Sequence, residues 1–273
     1  MRKMTGRRIR IGIPSLLILL FFALAIGYIA LPVLSLFIRV DRGSFFASLD
    51  DPFVRNALWL SFMTTVISTV LIIVIGTPIA YVNARYKYPC KEIIDSVIDM
   101  PVVMPPAVAG IALLMAYGRL GVAGQYFSAI GVTFAFTTTA VIMAQLFVAS
   151  PFYIRQARTS FEDVDRSYEN AARTLGASRV RTFFAVTVPI AMNGLVSGAI
   201  LSWARALGEF GATIMFAGNF EGVTQTMPLA VYMALNSDLN AALVLSILLV
   251  VISFAVITSV KILTRRGLAV AQD

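Results

Sequence analysis

Six runs without a single charged side chain divide this sequence: Ile11 to Ile38, Asn56 to Ala84, Met100 to Gly118, Phe134 to Ile154, Thr182 to Ala204 and Leu239 to Val260. A helix needs about 20 apolar residues to cross the hydrocarbon core of a bilayer, where no water can pair a free backbone group, so such runs dictate membrane-spanning helices. The expected fold is an all-α integral membrane protein with six transmembrane helices. Composition agrees, since 59% of the residues are hydrophobic and 13% charged, about half the charge of an ordinary soluble domain. The third run is the weakest. Pro101, Pro105 and Pro106 crowd its start, and proline both lacks an amide donor and clashes with the preceding turn, so the helix should be short or broken there.

The basic residues orient the runs. Five Lys and Arg precede the first run, three lie between the second and third, six between the fourth and fifth, and three follow the last, 17 in all on one side. The other side has four (Arg39, Arg42, Arg55 and Arg119), and Arg205 lies beside the fifth run. A bias this large in short loops places the 17-residue side in the cytoplasm, with both ends of the chain there and the protein in the plasma membrane. The basic start from Met1 to Arg10 resembles a signal peptide, but the apolar run continues to Ile38 without a small-residue cleavage site, so it reads as a retained first span.

The net charge of +8 is spread over short loop clusters rather than gathered in one patch, which argues for membrane lipid and against nucleic acid as a partner. With Cys90 as the only cysteine and no histidine, disulfide frameworks, zinc clusters and histidine-based catalysis are excluded within the chain. No phosphate-binding loop of the form GxxxxGK[ST] occurs, so ATP hydrolysis by that route is excluded too. No catalytic, metal or cofactor residues are expected.

The connection from Arg155 to Arg181 is too short to bury a core. Within it, Asp165 to Gly176 reads as a short helix with Asp165 as N-cap and Gly176 as a left-handed stop, and Ser178 as the cap of a second segment running toward Pro189. Tyr168, Ala171, Ala172 and Leu175 form one narrow apolar face. Two alanines at its centre suit docking into a groove of another protein, while an interfacial helix lying on lipid is the alternative.

Arg205 and Glu209 stand four residues apart at the end of the fifth run and can pair on one helix face. Each would cost about 2.5–3.5 kcal/mol facing lipid. Read backward, the same face carries Ser202, Gly198 and Gly194, a small and polar stripe that must point into the bundle or a pathway. The pair either ties helices together or lines a translocation route. Neighbouring opposite charges cancel, which makes a tight anion site there unsuitable. Three prolines and Gly110 suggest a broken helix at membrane depth, acceptable only against protein or a cavity, so Pro105, Pro106 and the segment Arg205 to Gly211 are placed near a gate.

Two stretches carry a family resemblance. Ala171-Ala172-Arg173-Thr174-Leu175-Gly176, followed by Val186-Thr187-Val188-Pro189, resembles the cytoplasmic signature of permease subunits of ATP-binding-cassette importers, in spacing from alanine pair to glycine to proline. The motif's glutamate falls on Asn170, with Glu169 one place earlier. Trp203 to Asn219, Thr224 to Ala230 and Met100 to Gly110 are similar to molybdate permeases, with tungstate and sulfate permeases as relatives. The resemblance spans roughly residues 53–263, leaving 1–52 as N-terminus, first helix and outer loop, and 264–273 as a tail.

It implies the type I importer permease fold, as a homodimer without its own ATPase site, translocating molybdate or tungstate by alternating access. Partners would be a second copy, two cytoplasmic ATP-binding-cassette subunits that hold ATP and Mg, and an extracytoplasmic oxyanion-binding protein. Glu169, Asn170, Ala171, Ala172, Leu175 and Gly176 would couple to the ATPase, and Pro105, Pro106, Ser202, Arg205, Glu209 and Gly211 would form gate or pathway. A sulfate or thiosulfate permease is the near alternative. A secondary anion carrier is the distant one, disfavoured by the absence of a visible repeat and the scarcity of intramembrane ionisable groups. A passive channel lacks a filter sequence.

Overall fold

The computed structural model describes residues 13–270, so the basic cluster before the first span and the last three residues lie outside it. Every regular element among the described residues is helical: α1 (Ile13–Arg39), α2 (Arg42–Leu49), α3 (Pro52–Arg85), α4 (Lys91–Val103), α5 (Pro106–Tyr117), α6 (Gly124–Ala129), α7 (Thr138–Glu162), α8 (Arg166–Thr174), α9 (Arg179–Thr182), α10 (Val188–Leu207), α11 (Gly211–Ala217), α12 (Met227–Ala234) and α13 (Leu239–Val270). A π-helical turn, Phe183–Thr187, joins α9 to α10.

Local chemistry sets the starts of the two central helices. Asp51 accepts a hydrogen bond from the Phe53 amide at 2.9 Å and Pro52 occupies the first turn of α3, where its missing donor costs nothing. Thr137 caps α7 through the Ala140 amide.

The bundle is organised around α7, which packs against α3 on one side and α10 on the other, with α11 and α5 nearby. One apolar cluster joins Ile72, Ala80, Ala149, Tyr153, Phe161, Ala191 and Leu195; a second joins Ala109, Leu113, Ala140, Val141, Ala144, Ala212 and Phe216. Alanine lets backbones approach closely, which is how helices associate when lipid supplies no hydrophobic drive. The α3 face toward this core is polar, with Ser61, Thr64, Thr65 and Ser68 all buried. Thr64 and Thr65 return their hydroxyls to carbonyls four residues back. Gln145 of α7 donates to Thr64 Oγ1 at 3.1 Å and accepts from Ser68 Oγ at 3.2 Å, which satisfies an amide that would be costly in lipid.

Four described helical segments are long and apolar enough to cross a membrane: Leu17–Arg39, Pro52–Arg85, Arg179–Leu207 and Leu239–Thr258. The pair α4 and α5 makes a fifth if counted as one span, bent by 117°. The break falls at Met104 and Pro105, within the proline cluster that predicts it. The 12 residues of α5 reach only about 18 Å, short of the roughly 30 Å hydrocarbon core. At 25 residues α7 is long enough, but Gln145, Ser150 and Pro151 dilute its apolarity; Gln145 and Pro151 are buried within the protein.

Two ends differ from the sequence expectation. The fourth run stops at Ile154, yet α7 continues to Glu162, because Arg155 and Arg158 on the added turns pair with Asp99 and Asp95 of α4 at 2.7 and 2.8 Å. The last helix continues beyond Val260 to Val270, through part of the expected tail.

Candidate functional site

The first candidate site is α8 with the turn that follows it. Asp165 accepts from the Ser167 amide at 2.8 Å, and that bond holds its carboxyl below the usual carboxylate range. At the other end the Ala177 amide bonds the Ala172 carbonyl and the Gly176 amide the Arg173 carbonyl, both at 3.0 Å. This double closure requires a left-handed residue, and Gly176 supplies it with φ +88°. Ser178 caps α9 through the Arg181 amide at 3.2 Å.

These caps fix a helix with two unlike faces. Tyr168, Ala171 and Leu175 are exposed, Leu175 to 89%, and Ala172 is half-buried beside them. On the opposite face Glu169 points into the body of the protein. Its Oε1 accepts from Arg85 Nε at 3.1 Å and from Thr187 Oγ1 at 2.9 Å, and lies 2.9 Å from Arg85 Nη2 in an ion pair. Arg85 Nη2 donates to the Val164 carbonyl at 2.9 Å. One carboxylate thus ties α8 to the end of α3 and to the π-helical turn that opens α10. Asn170, which aligns with the importer motif's glutamate, is exposed; the inward anchor is its neighbour Glu169. Arg85 and Thr187 escaped the sequence reading, because their partner is 84 and 18 residues away.

The second candidate site lies where α5 meets α11. A Cβ on Gly211 would strike the ring of Pro106, and one on Gly110 would stand 2.6 Å from Met215 Cβ and 2.7 Å from the Ala212 carbonyl oxygen. The two short helices are therefore in backbone contact, which brings Pro106 and Gly211 together. Pro105 occupies the position before α5 and its carbonyl accepts from the Ala109 amide at 3.1 Å.

Arg205 and Glu209 pair at 2.8 Å, with the guanidinium 29% exposed and the carboxylate 1%. The other Glu209 oxygen accepts from the Ala212 amide at 2.7 Å. Glu209 is thus an N-terminal cap for α11 as well as an ion-pair partner, a second role that the sequence reading did not assign. Ser202 donates to the Ala149 carbonyl at 2.9 Å, and a Cβ on Gly198 or Gly194 would meet Gln156 or Ser160. The small and polar stripe of α10 therefore faces α7 inside the bundle.

Residues 72–267 match the family described as Binding-protein-dependent transport system inner membrane component. The chain belongs to that family. Relatives extend the match beyond those bounds. The Molybdenum transport system permease protein ModB of Mycobacterium tuberculosis is 42% identical over 242 residues, 89% of this chain and 92% of that one. The Molybdate/tungstate transport system permease protein WtpB of Pyrococcus furiosus is 35% identical over 247 residues, 90% and 93% of the two chains. Among solved structures, a bacterial transporter that imports the acidic polysaccharide alginate superposes with TM-score 0.76 over 92% of this chain and 94% of that chain, at 12% identity. The MetNI methionine transporter superposes with TM-score 0.61 over 78% and 95%, at 16% identity. These likenesses establish a multi-pass permease fold for the membrane subunit of a binding-protein-dependent importer.

Proposed function

We propose that this permease is the membrane subunit of an ATP-driven importer for molybdate or tungstate. It works as a homodimer with two cytoplasmic ATPase subunits, which bind ATP and Mg, and an extracytoplasmic protein that captures the oxyanion. In this reading α1, α3, the bent pair α4 and α5, α7, α10 and α13 provide six crossings with both chain ends in the cytoplasm. The observation that carries it is the division of α8 into two faces: an exposed face of Tyr168, Ala171 and Leu175 for a partner's cleft, and a Glu169 anchor to α3 and α10. A push on the exposed face then moves two membrane helices. The relatives' names supply the anion.

At the other side, α11 is held by the Arg205–Glu209 pair and seated on α5. The break between α4 and α5, the seat of α5 on α11 and the capped start of α11 form the gate, and alternating access opens it by shifting α10. Because the carboxylate cancels the guanidinium charge, selectivity lies mainly with the extracytoplasmic protein.

Reconstitution of the permease, its ATPase and the binding protein in proteoliposomes tests this. Molybdate-loaded binding protein should stimulate both ATP hydrolysis and uptake, and omission of any component should abolish uptake. Uptake driven by an ion gradient without ATP would overturn the reading, and stimulation by sulfate-loaded protein in place of molybdate would reassign the anion.

A further inference from the structure

Four arginines, Arg85, Arg166, Arg173 and Arg179, converge with Tyr81 and Tyr86 around a cavity of about 440 Å³ between the end of α3, the inner face of α8 and α9. Glu169 is the one carboxylate in its wall, and it is already paired with Arg85. Among the described residues, no carboxylate forms an ion pair with Arg166, Arg173 or Arg179. The cavity therefore has a surplus of positive charge. Phe183 and Phe184 close one side of it, and the same two rings form the end of a second, apolar cavity of about 510 Å³ between α3 and α10. Val74, Met192 and Val196 line that second space and are 64%, 45% and 39% exposed, so it opens on the surface of two membrane-spanning helices.

We propose that the two cavities are one binding site for an anionic phospholipid, with its phosphate headgroup among the arginines and an acyl chain in the apolar groove. A basic pocket at the end of a membrane helix that adjoins an apolar groove between two such helices, with Phe183 and Phe184 shared by both, matches the two ends of such a lipid. Tyr81 and Tyr86 in the wall of the basic cavity are of the residue type enriched at the headgroup level. A soluble protein partner fits only the basic half, because the groove runs along the spans. It also has a surface of its own: Arg166, Glu169, Asn170 and Arg173 share one side of α8, and Tyr168, Ala171 and Leu175 the other. The bound lipid would wedge the joint between α3, α8 and α10 and set how freely that joint moves. The inference requires only that the chain is membrane-embedded; it does not depend on which anion is transported.

Native mass spectrometry of the full-length permease, purified in detergent and supplied with phosphatidylglycerol or phosphatidylcholine, tests it. Phosphatidylglycerol should be retained preferentially. Arg179→Gln should reduce that preference about fivefold, and Arg173→Gln with it by a similar further factor, while the control Arg155→Gln, outside both cavities, leaves it unchanged. Val196→Trp, which fills the groove, should weaken retention with every arginine intact. Equal retention of the two lipids, or a preference insensitive to Arg179→Gln, would overturn the site. So would binding of inorganic phosphate or molybdate alone with the same arginine dependence and no response to Val196→Trp, which would make it a free-anion site. Stoichiometric release of the lipid on adding the ATPase subunit would reassign the basic half to protein docking.

Discussion

Replacing Glu169 by alanine should loosen α8 from the rest of the protein. The carboxylate and the Arg85 guanidinium are only 13% and 7% exposed and lie 2.9 Å apart. Removing one member of a buried pair costs about 3–5 kcal/mol, because the other charge is left without a partner. Since neither group is wholly enclosed, the lower end, about 3 kcal/mol, is the better figure, and it matches the roughly 1.5–3 kcal/mol expected for each hydrogen bond to a charged group. Hydrogen–deuterium exchange of the amides from Asn170 to Ala177 in nanodiscs reads this directly. About 3 kcal/mol corresponds to exchange faster by roughly a hundredfold. Thr187→Val removes one hydrogen bond from the same oxygen and should accelerate exchange about tenfold. Removing both charges, with Arg85→Ala and Glu169→Ala together, should cost less than the sum of the singles, since no unpaired charge remains. Exchange within threefold of the parent in Glu169→Ala, or strictly additive singles, would refute the strut.

Gly176→Leu forces a branched side chain into a left-handed turn, at about 1–2 kcal/mol, and should lower uptake per ATP hydrolysed while membrane insertion is unaffected. Arg205→Ala leaves the buried Glu209 carboxylate unpaired and should cost about 3–5 kcal/mol, seen as a lower melting temperature in detergent. Gly110→Val drives a side chain into Met215 and the Ala212 carbonyl and should cost about 1–3 kcal/mol in the same melt. The Asp165 carboxyl sits below its ordinary range because the folded helix stabilises its charged form. Its cap is fully present above the ordinary carboxylate pKa and is lost as pH falls through the depressed value. The protection of α8 amides, taken relative to their intrinsic exchange at each pH, should fall on acidification, and Asp165→Asn should flatten that dependence.

Much of this was legible because membranes impose simple rules. Uncharged runs located α1, α3, α10 and α13, and the prolines at 101, 105 and 106 located the bend between α4 and α5. Caps at Asp165 and Ser178 and the stop at Gly176 were also readable, each being decided by bonds within a few residues. The pairing of Arg205 with Glu209 was expected on one helix face; the two do pair, but Glu209 stands past the end of α10, in the turn before α11. What the sequence could not reveal depends on distant pairs. Arg85 looked like one more basic loop residue until Glu169 was found beside it. Gln145 is a polar residue within the fourth run, and Thr64 and Ser68 of α3 absorb its amide. The extension of α7 to Glu162 likewise depends on Asp95 and Asp99 of another helix.

The anchoring of α8 has a mechanical consequence. A helix of nine residues is too short to hold its shape alone in water, so a force applied to it would normally be spent on unwinding it. Here two local devices and one distant bond oppose that: the Asp165 cap, the closure at Gly176 and the bond from Glu169 to Arg85. The first two keep the helix intact, and the third gives it a fixed attachment. Because Glu169 bonds α3 through Arg85 and the start of α10 through Thr187, a displacement of α8 must be shared between both helices or break the strut. The attachment to α10 enters through a π-helical turn, a wider winding that often marks functional positions. The segment from α8 to α10 therefore joins a capped, anchored helix to a π-helical turn, and that turn lies between the exposed apolar face of α8 and the Arg205–Glu209 end of α10.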